Sequence, residues 1–291
     1  MGLIPTFIKL KFKRSERSQS RKTSMDARRL IPLVAEASAS YHSLVEAVEQ
    51  ANGDHIHEHS EKLAEIFEKV SLKLLDILER LAIILNKHMK HLKSINEKLS
   101  DVNPPPATFI HEVNELLEKV RHVAVVFMAA LANAMDGKPP LKSGVMTEEG
   151  SLAKDIFTHS RRLMIKGRKL KGKEKKAEKD AKDSRLDSKA MKKINDDIKA
   201  LEPLVEEVFK ILEMDEFETL ALLAKTINHM NEFEEKMKEA QRELLYPEAW
   251  FNKVMEKQKI TRRGMDAKHK SIEKELAFVE SGAIHAEEKV A

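Results

Sequence analysis

The sequence predicts an all-α fold, an elongated multi-helix bundle with long, coiled-coil-like helices, and three observations predict it. Helix-favouring Ala, Leu, Glu, Lys and Met are abundant, while Gly and Pro number only nine each, a composition that suits helix interiors better than strands. Apolar residues recur in steps of four and three over long stretches, as at Leu63, Phe67, Val70, Leu74, Ile77, Leu81 and Ile84, which is the period of one helix face. No alternating apolar runs are joined by hairpin signals, and the sequence shows no convincing internal repeat.

The elements follow in order. Met25 to about Gln50 reads as a first helix, stopped by Asn52-Gly53. Asp54 then caps a helix of about 48 residues that reaches Asp101, roughly 70 Å long at 1.5 Å per residue. Beyond Ile84 its stripe shifts by one position to Leu85, Met89, Leu92, Ile95 and Leu99, a local break in the heptad. After the corner at Pro104, Pro105 and Pro106, a helix from Thr108 to Met135 ends at Asp136-Gly137. Its second half is apolar all round, which predicts a central place in the bundle.

A Pro, Gly and Ser loop from Gly137 to Gly150 precedes a helical stretch that turns strongly polar between Lys166 and Lys189. Met191 to Met214 and Phe217 to Leu245 read as two further helices. Pro247 suits the first turn of the next, and a weaker helix follows Gly264. Four segments result: 1–24, a basic amphipathic or mobile N-terminal segment; 25–165, an N-terminal helical bundle; 166–190, a basic polar helix or linker; and 191–291, a C-terminal helical region.

With 42% hydrophobic residues in 291 the chain can bury a real core. The absence of Cys excludes disulfides, thiolate metal sites and a cysteine nucleophile, and fits an intracellular location. The longest uncharged run, His122 to Met135, is shorter than the roughly 20 apolar residues of a spanning helix. Lys9, Lys11 and Lys13 interrupt the first apolar residues before a secretory h-region forms.

Catalytic and metal motifs are weak. Gly167, Gly172 and Lys173 match most of a phosphate-loop pattern, but Glu174 stands where Ser or Thr should hold magnesium and no strand precedes it. His55 and His59 share a helix face at i and i+4, with His57 between them, which allows a shared transition metal but equally an exposed polar helix start. His88 and His91 border the apolar stripe and read as boundary residues. None of the 12 His residues has Glu three positions before it, as paired di-iron motifs require. No catalytic residues, metal ligands, cofactor or small-molecule substrate are therefore predicted.

Charge is the more informative signal, because the net +4 is concentrated. Residues 1–24 carry Lys9, Lys11, Lys13, Arg14, Arg17, Arg21 and Lys22 against Glu16 alone. Met1-Gly2-Leu3-Ile4-Pro5-Thr6 fits the N-myristoylation pattern, and the basic run supplies the second signal that one acyl chain needs. Even without a lipid, Gly2, Leu3, Ile4, Phe7 and Ile8 with Lys9, Lys11, Lys13 and Arg14 form a candidate membrane-binding segment. Two other readings compete: an organelle presequence, which would place the mature chain in an organelle matrix, and an extended arm in which Ile8, Leu10 and Phe12 alternate with lysines.

A second cluster runs from Arg161 to Lys176, with Arg161, Arg162, Lys166, Arg168 and Lys169 as candidate phosphate-binding residues. It lacks the interleaved aromatics of a base-stacking surface, and a solvated helix face explains it as well. Finally, the long helix exposes more stripe than a compact domain needs, and Leu74, Leu78, Leu81 and Leu85 are the candidate self-association residues. The bland alternative is that the helices at 25–50 and 108–135 fold back and bury it. The expected function is a non-enzymatic helical scaffold or assembly protein on the cytoplasmic face of an anionic membrane, with a homo-oligomer or helical protein as possible partner. The alternative is a nucleic-acid-binding or packaging protein that uses both basic clusters.

Overall fold

Two helical hairpins with matching turns organise the structure, a computed structural model that describes residues 29–100, 107–140 and 216–288. The first pairs α1, helical over 29–49, with α2, Gly53–Ser100. After α3, Ala107–Met135, the second pairs α4, Glu216–Arg242, with α5, Glu248–Glu288. The described residues are thus an all-α helical bundle of five helices, as the composition and periodicity require. The expected helix at 191–214, the polar stretch at 166–190 and residues 1–24 lie outside the described residues.

The turn chemistry differs from expectation in one instructive way. Asn52-Gly53 reads as a helix stop, yet it is Ala51 that takes the left-handed conformation, at φ 52°, and Gly53 opens α2. Asn52 is the N-cap: its side-chain oxygen accepts from the His55 N–H at 3.3 Å, and its carbonyl accepts from Ile56 at 3.0 Å. Asp54 therefore sits inside the first turn, where its charge favours the helix dipole, rather than at the cap. Gly53 is needed for another reason. A Cβ there would lie 3.3 Å from the Leu245 carbonyl, because the turns of the two hairpins meet at this point.

The second turn repeats the first. Asn52 N–H bonds to Ala47 O, and Leu245 N–H bonds to Ala240 O; Ala51 N–H bonds to Val48 O, and Leu244 N–H to Gln241 O. Leu244 takes the left-handed conformation at φ 57°, 193 positions after Ala51. The buried positions repeat at the same interval: Leu30, Val34, Ala37, Ser40, Leu44 and Ala47 in α1 correspond to Leu223, Ile227, Met230, Phe233, Met237 and Ala240 in α4. The repeat escapes residue comparison because only Leu30 and Ala47 keep their identities; what recurs is the pattern of burial.

The described residues fall into two compact units. The first takes α1, α2 to Glu79, α3 from Ala129, α4, and α5 to Ser271. In it α1 and α2 are antiparallel, with Lys62 paired to Glu36 at 3.0 Å, and α4 and α5 are antiparallel, with Arg262 paired to Glu234 at 2.9 Å. Between hairpins the helices run parallel, since Glu61–Lys253, Asp76–Lys268 and Glu79–Ser271 advance together. The second unit takes α2 from Arg80, α3 to Met128, and α5 from Ile272. Its core includes Leu85, Met89, Leu92, Ile95, Val113, Leu116 and Val120, and α2 again runs beside α5, through Asn86 and Glu275 and through Lys90 over the Phe278 ring.

Two expectations about elements are corrected. No break occurs at Gly264, because α5 is continuous from Glu248 to Glu288. The glycine allows close approach instead: a Cβ there would meet Leu72 Cδ2 at 3.2 Å, against a helix-propensity cost of glycine of about 1 kcal/mol. Replacing Gly264 by leucine should therefore lower stability by about 1–3 kcal/mol despite better propensity, measurable as a lower urea midpoint. An unchanged midpoint would show that the two helices have slack here. The second half of α3 is not central either: Val125 is 41% exposed, and Ala129 and Ala132 are exposed as well. Small side chains carry little apolar area, so their exposure costs little.

Candidate functional site

A polar and aromatic cluster lies where the two turns of the first unit meet. Tyr246, at the end of the α4–α5 turn, is buried with its hydroxyl 2.8 Å from Ser60 Oγ and 3.0 Å from His57 Nδ1. Ser60 already donates to the His57 carbonyl at 2.9 Å, so it accepts from Tyr246, and Tyr246 in turn accepts from the His57 ring. The His57 ring stacks on Trp250, with centroids 4.0 Å apart and planes 17° from parallel. On its other nitrogen it faces Glu61 at 3.9 Å, and Glu61 pairs with Lys253 at 2.7 Å, which holds its carboxyl below the usual value chiefly through that hydrogen bond. Burial pushes the Tyr246 hydroxyl pKa up.

These contacts tie the N-terminal part of α2 to the start of α5 across a long sequence separation. Nothing in the local sequence announces them, because each residue alone fits an ordinary helix start. Tyr246→Phe should lower stability by about 1–2 kcal/mol, since the ring still packs while the Ser60 and His57 groups lose their shared partner. Thermal unfolding followed by circular dichroism checks this, and no change would mean that water replaces the hydroxyl at no cost.

Of the histidines considered for metal, His57 is thus committed to Tyr246 and Trp250, while His55 and His59 meet edge to face with centroids 6.2 Å apart. Among the described residues no group of three or more His, Cys, Asp or Glu side chains converges for a metal ion.

A second cluster resembles a nucleophilic triad in composition only. Ser38 Oγ lies 3.3 Å from His229 Nε2, and His229 Nδ1 lies 3.2 Å from Glu232. However, Ser38 donates its proton to the Val34 carbonyl at 3.1 Å, so His229 does not take it. Both residues sit inside helices whose N–H groups are used by the helix, so among the described residues no free backbone N–H of these helices stands beside Ser38 as an oxyanion donor. The cluster joins α1 to α4, and Tyr41 against His229 completes it, its hydroxyl pKa raised by burial and then by Glu232.

The second unit holds a buried imidazole. His88 is 1% exposed, not a boundary residue, and neither ring nitrogen has a protein partner. Burial, with a smaller contribution from His91, lowers its pKa to about 4. It lies on the stripe itself, between Leu85 and Leu92, rather than at its border. His91 is half-buried, as a boundary residue should be.

The remaining sequence candidates divide cleanly. Gly2, Leu3, Ile4, Phe7, Ile8, Lys9, Lys11, Lys13 and Arg14, and Arg161, Arg162, Lys166, Arg168 and Lys169, lie outside the described residues. Leu74, Leu78, Leu81 and Leu85 are at most 3% exposed within a single chain. Their side chains are covered within the single chain.

Among the described residues no helix is long and apolar enough to cross a membrane. No family model, curated protein or solved structure matches the chain.

Proposed function

We propose that this protein is a non-enzymatic helical scaffold that attaches peripherally to an anionic membrane, on its cytoplasmic face, through residues 1–22. The observation that carries the reading is the N-terminal sequence, which joins Gly2 in an acylation pattern and the apolar Leu3, Ile4, Phe7 and Ile8 to seven basic residues against one acid. The folded helices supply a rigid support for such an anchor, and the triad-like cluster offers them no hydrolytic chemistry. A scaffold role further needs a partner surface.

Co-sedimentation of the full-length chain with phosphatidylserine-containing vesicles tests the reading. Binding should fall at least tenfold when Lys9, Lys11, Lys13 and Arg14 are replaced by Glu, because each basic residue near an anionic surface contributes about 1 kcal/mol. Equal binding by that variant would remove the membrane claim. The second basic cluster, Arg161 to Lys176, supports nucleic-acid contact as the alternative. In the same assay, steeply salt-dependent displacement from vesicles by duplex DNA, lost when that cluster is neutralised, would favour it.

A further inference from the structure

The end of the first unit where the turns meet carries an exposed apolar tip. Leu244 is 87% exposed, the most exposed of the large hydrophobic side chains described, and Trp250 is 37% exposed, with Pro247 and Ala249 exposed between them. Leu244 incurs two costs at once. A leucine in the left-handed conformation, at φ 57°, is strained where glycine is the usual helix-ending residue, and its side chain meets solvent. Both costs make sense together if another apolar group covers this side chain.

The charge around the tip says what kind of group. Residues 49–58 and 242–253 carry Glu49, Asp54, Glu58, Glu243 and Glu248 against Arg242 and Lys253. Lys253 is already paired with Glu61 at 2.7 Å, so the field at the tip is acidic. An anionic membrane is repelled by such a surface, whereas a basic segment with apolar side chains is attracted. This chain contains one: Leu3, Ile4, Phe7, Ile8, Leu10 and Phe12, interleaved with and followed by Lys9, Lys11, Lys13 and Arg14. Its reach suffices, since α1 from residue 29 to the turn is about 30 Å long. The chain from residue 14 to residue 28 spans up to about 50 Å when extended.

We infer that residues 3–14 dock on the Leu244–Trp250 tip of their own chain. The apolar side chains cover Leu244 and the free face of Trp250, while Lys9, Lys11, Lys13 and Arg14 meet Glu49, Asp54, Glu58, Glu243 and Glu248. The contact itself is independent of the membrane reading. Its consequence, that the anchor is masked until an anionic surface competes for it, rests on that reading.

Trp250 is the only tryptophan of the chain, so fluorescence of the full-length protein reports on the tip alone. With the segment docked, acrylamide quenching should be low and rise severalfold when Lys9, Lys11, Lys13 and Arg14 are replaced by Glu, or when salt is raised. Leu244→Gly should give the same increase. Docking weakens roughly tenfold on losing one buried leucine side chain, while glycine suits the left-handed position and keeps the turn folded. Equal quenching in the parent chain and both variants would overturn the contact. Shielding that grows with protein concentration would overturn it in favour of a second copy's segment.

Phosphatidylserine vesicles supply the other arm. Under the masking consequence Leu244→Gly binds them several times more tightly than the parent chain. Shielding that behaves as expected without any vesicle binding leaves the contact standing and removes the membrane reading. Vesicle binding with no shielding does the reverse.

Discussion

Lowering the pH from 7 to 4 should cost the second unit about 3 kcal/mol of stability through His88 alone, and His88→Leu should abolish that loss. The imidazole is neutral in both folded and unfolded chains above its ordinary value of 6.5. As the pH falls below 6.5 the unfolded chain takes up a proton that the folded chain refuses until about 4, so stability declines across that window and levels off below it. A displacement from 6.5 to about 4 corresponds to roughly 3 kcal/mol at 1.36 kcal/mol per tenfold change in proton affinity. His91, also lowered by burial, adds to the loss in the same direction.

Leucine at position 88 fits the stripe between Leu85 and Leu92 and removes two ring nitrogens without protein partners. It should also raise stability at pH 7 by about 1–2 kcal/mol. Urea unfolding at pH 7 and pH 4, followed by circular dichroism for both proteins, decides the matter. Equal acid sensitivity in the two would mean that other groups set the pH dependence. His88→Gln separates charge from shape: it should keep the pH 7 penalty of a buried polar group but lose the acid response.

Phe67→Ala and Phe233→Ala should each destabilise the first unit by about 3–5 kcal/mol, the range for removing a fully buried aromatic side chain. Both rings are wholly buried, and they meet edge to face with centroids 5.7 Å apart and planes at 60°. The pair joins α2 of one hairpin to α4 of the other, so its loss acts on the contact between hairpins rather than on either alone. A double-mutant cycle with Leu at each position should return a coupling of about 0.5–1.5 kcal/mol beyond the area lost. A coupling near zero would show that the rings pack independently. In that case their energies come from burial alone.

Much of this fold was legible in the sequence, because four of the five described helices announce themselves by steps of three and four between turn signals, and Gly137 ends α3 at φ 72° as its sequence predicts. What failed did so for nonlocal reasons. Gly264 reads as a weak point until Leu72 is seen 3.2 Å from where its Cβ would be. Asn52-Gly53 reads as a helix stop until the Leu245 carbonyl is found against Gly53, which leaves Ala51 to turn the chain. The Tyr246 network and the Ser38–His229 tie each depend on a helix far away in sequence, and periodicity carries no information about which helix that is. The acidic surroundings of Leu244 were likewise invisible, since they are assembled from two turns distant along the chain.

The parallel placement of the two hairpins also bears on how the chain leaves the ribosome. Within a hairpin the ties are local: Glu234 and Arg262 are 28 residues apart. Between hairpins they are distant, 186 residues for Ser60 and Tyr246 and 192 for Glu61 and Lys253. At roughly 5–20 residues per second, synthesis of that interval takes about 10–40 seconds. During this time the α1–α2 pair emerges without the helices it finally lies beside. Phe67 waits for Phe233, and Ser60 for Tyr246, so the nascent first hairpin presents an uncovered apolar face that chaperones have time to bind. A prematurely ended chain lacking α4 and α5 would keep that face open permanently, which makes truncated products of this protein natural substrates for quality control.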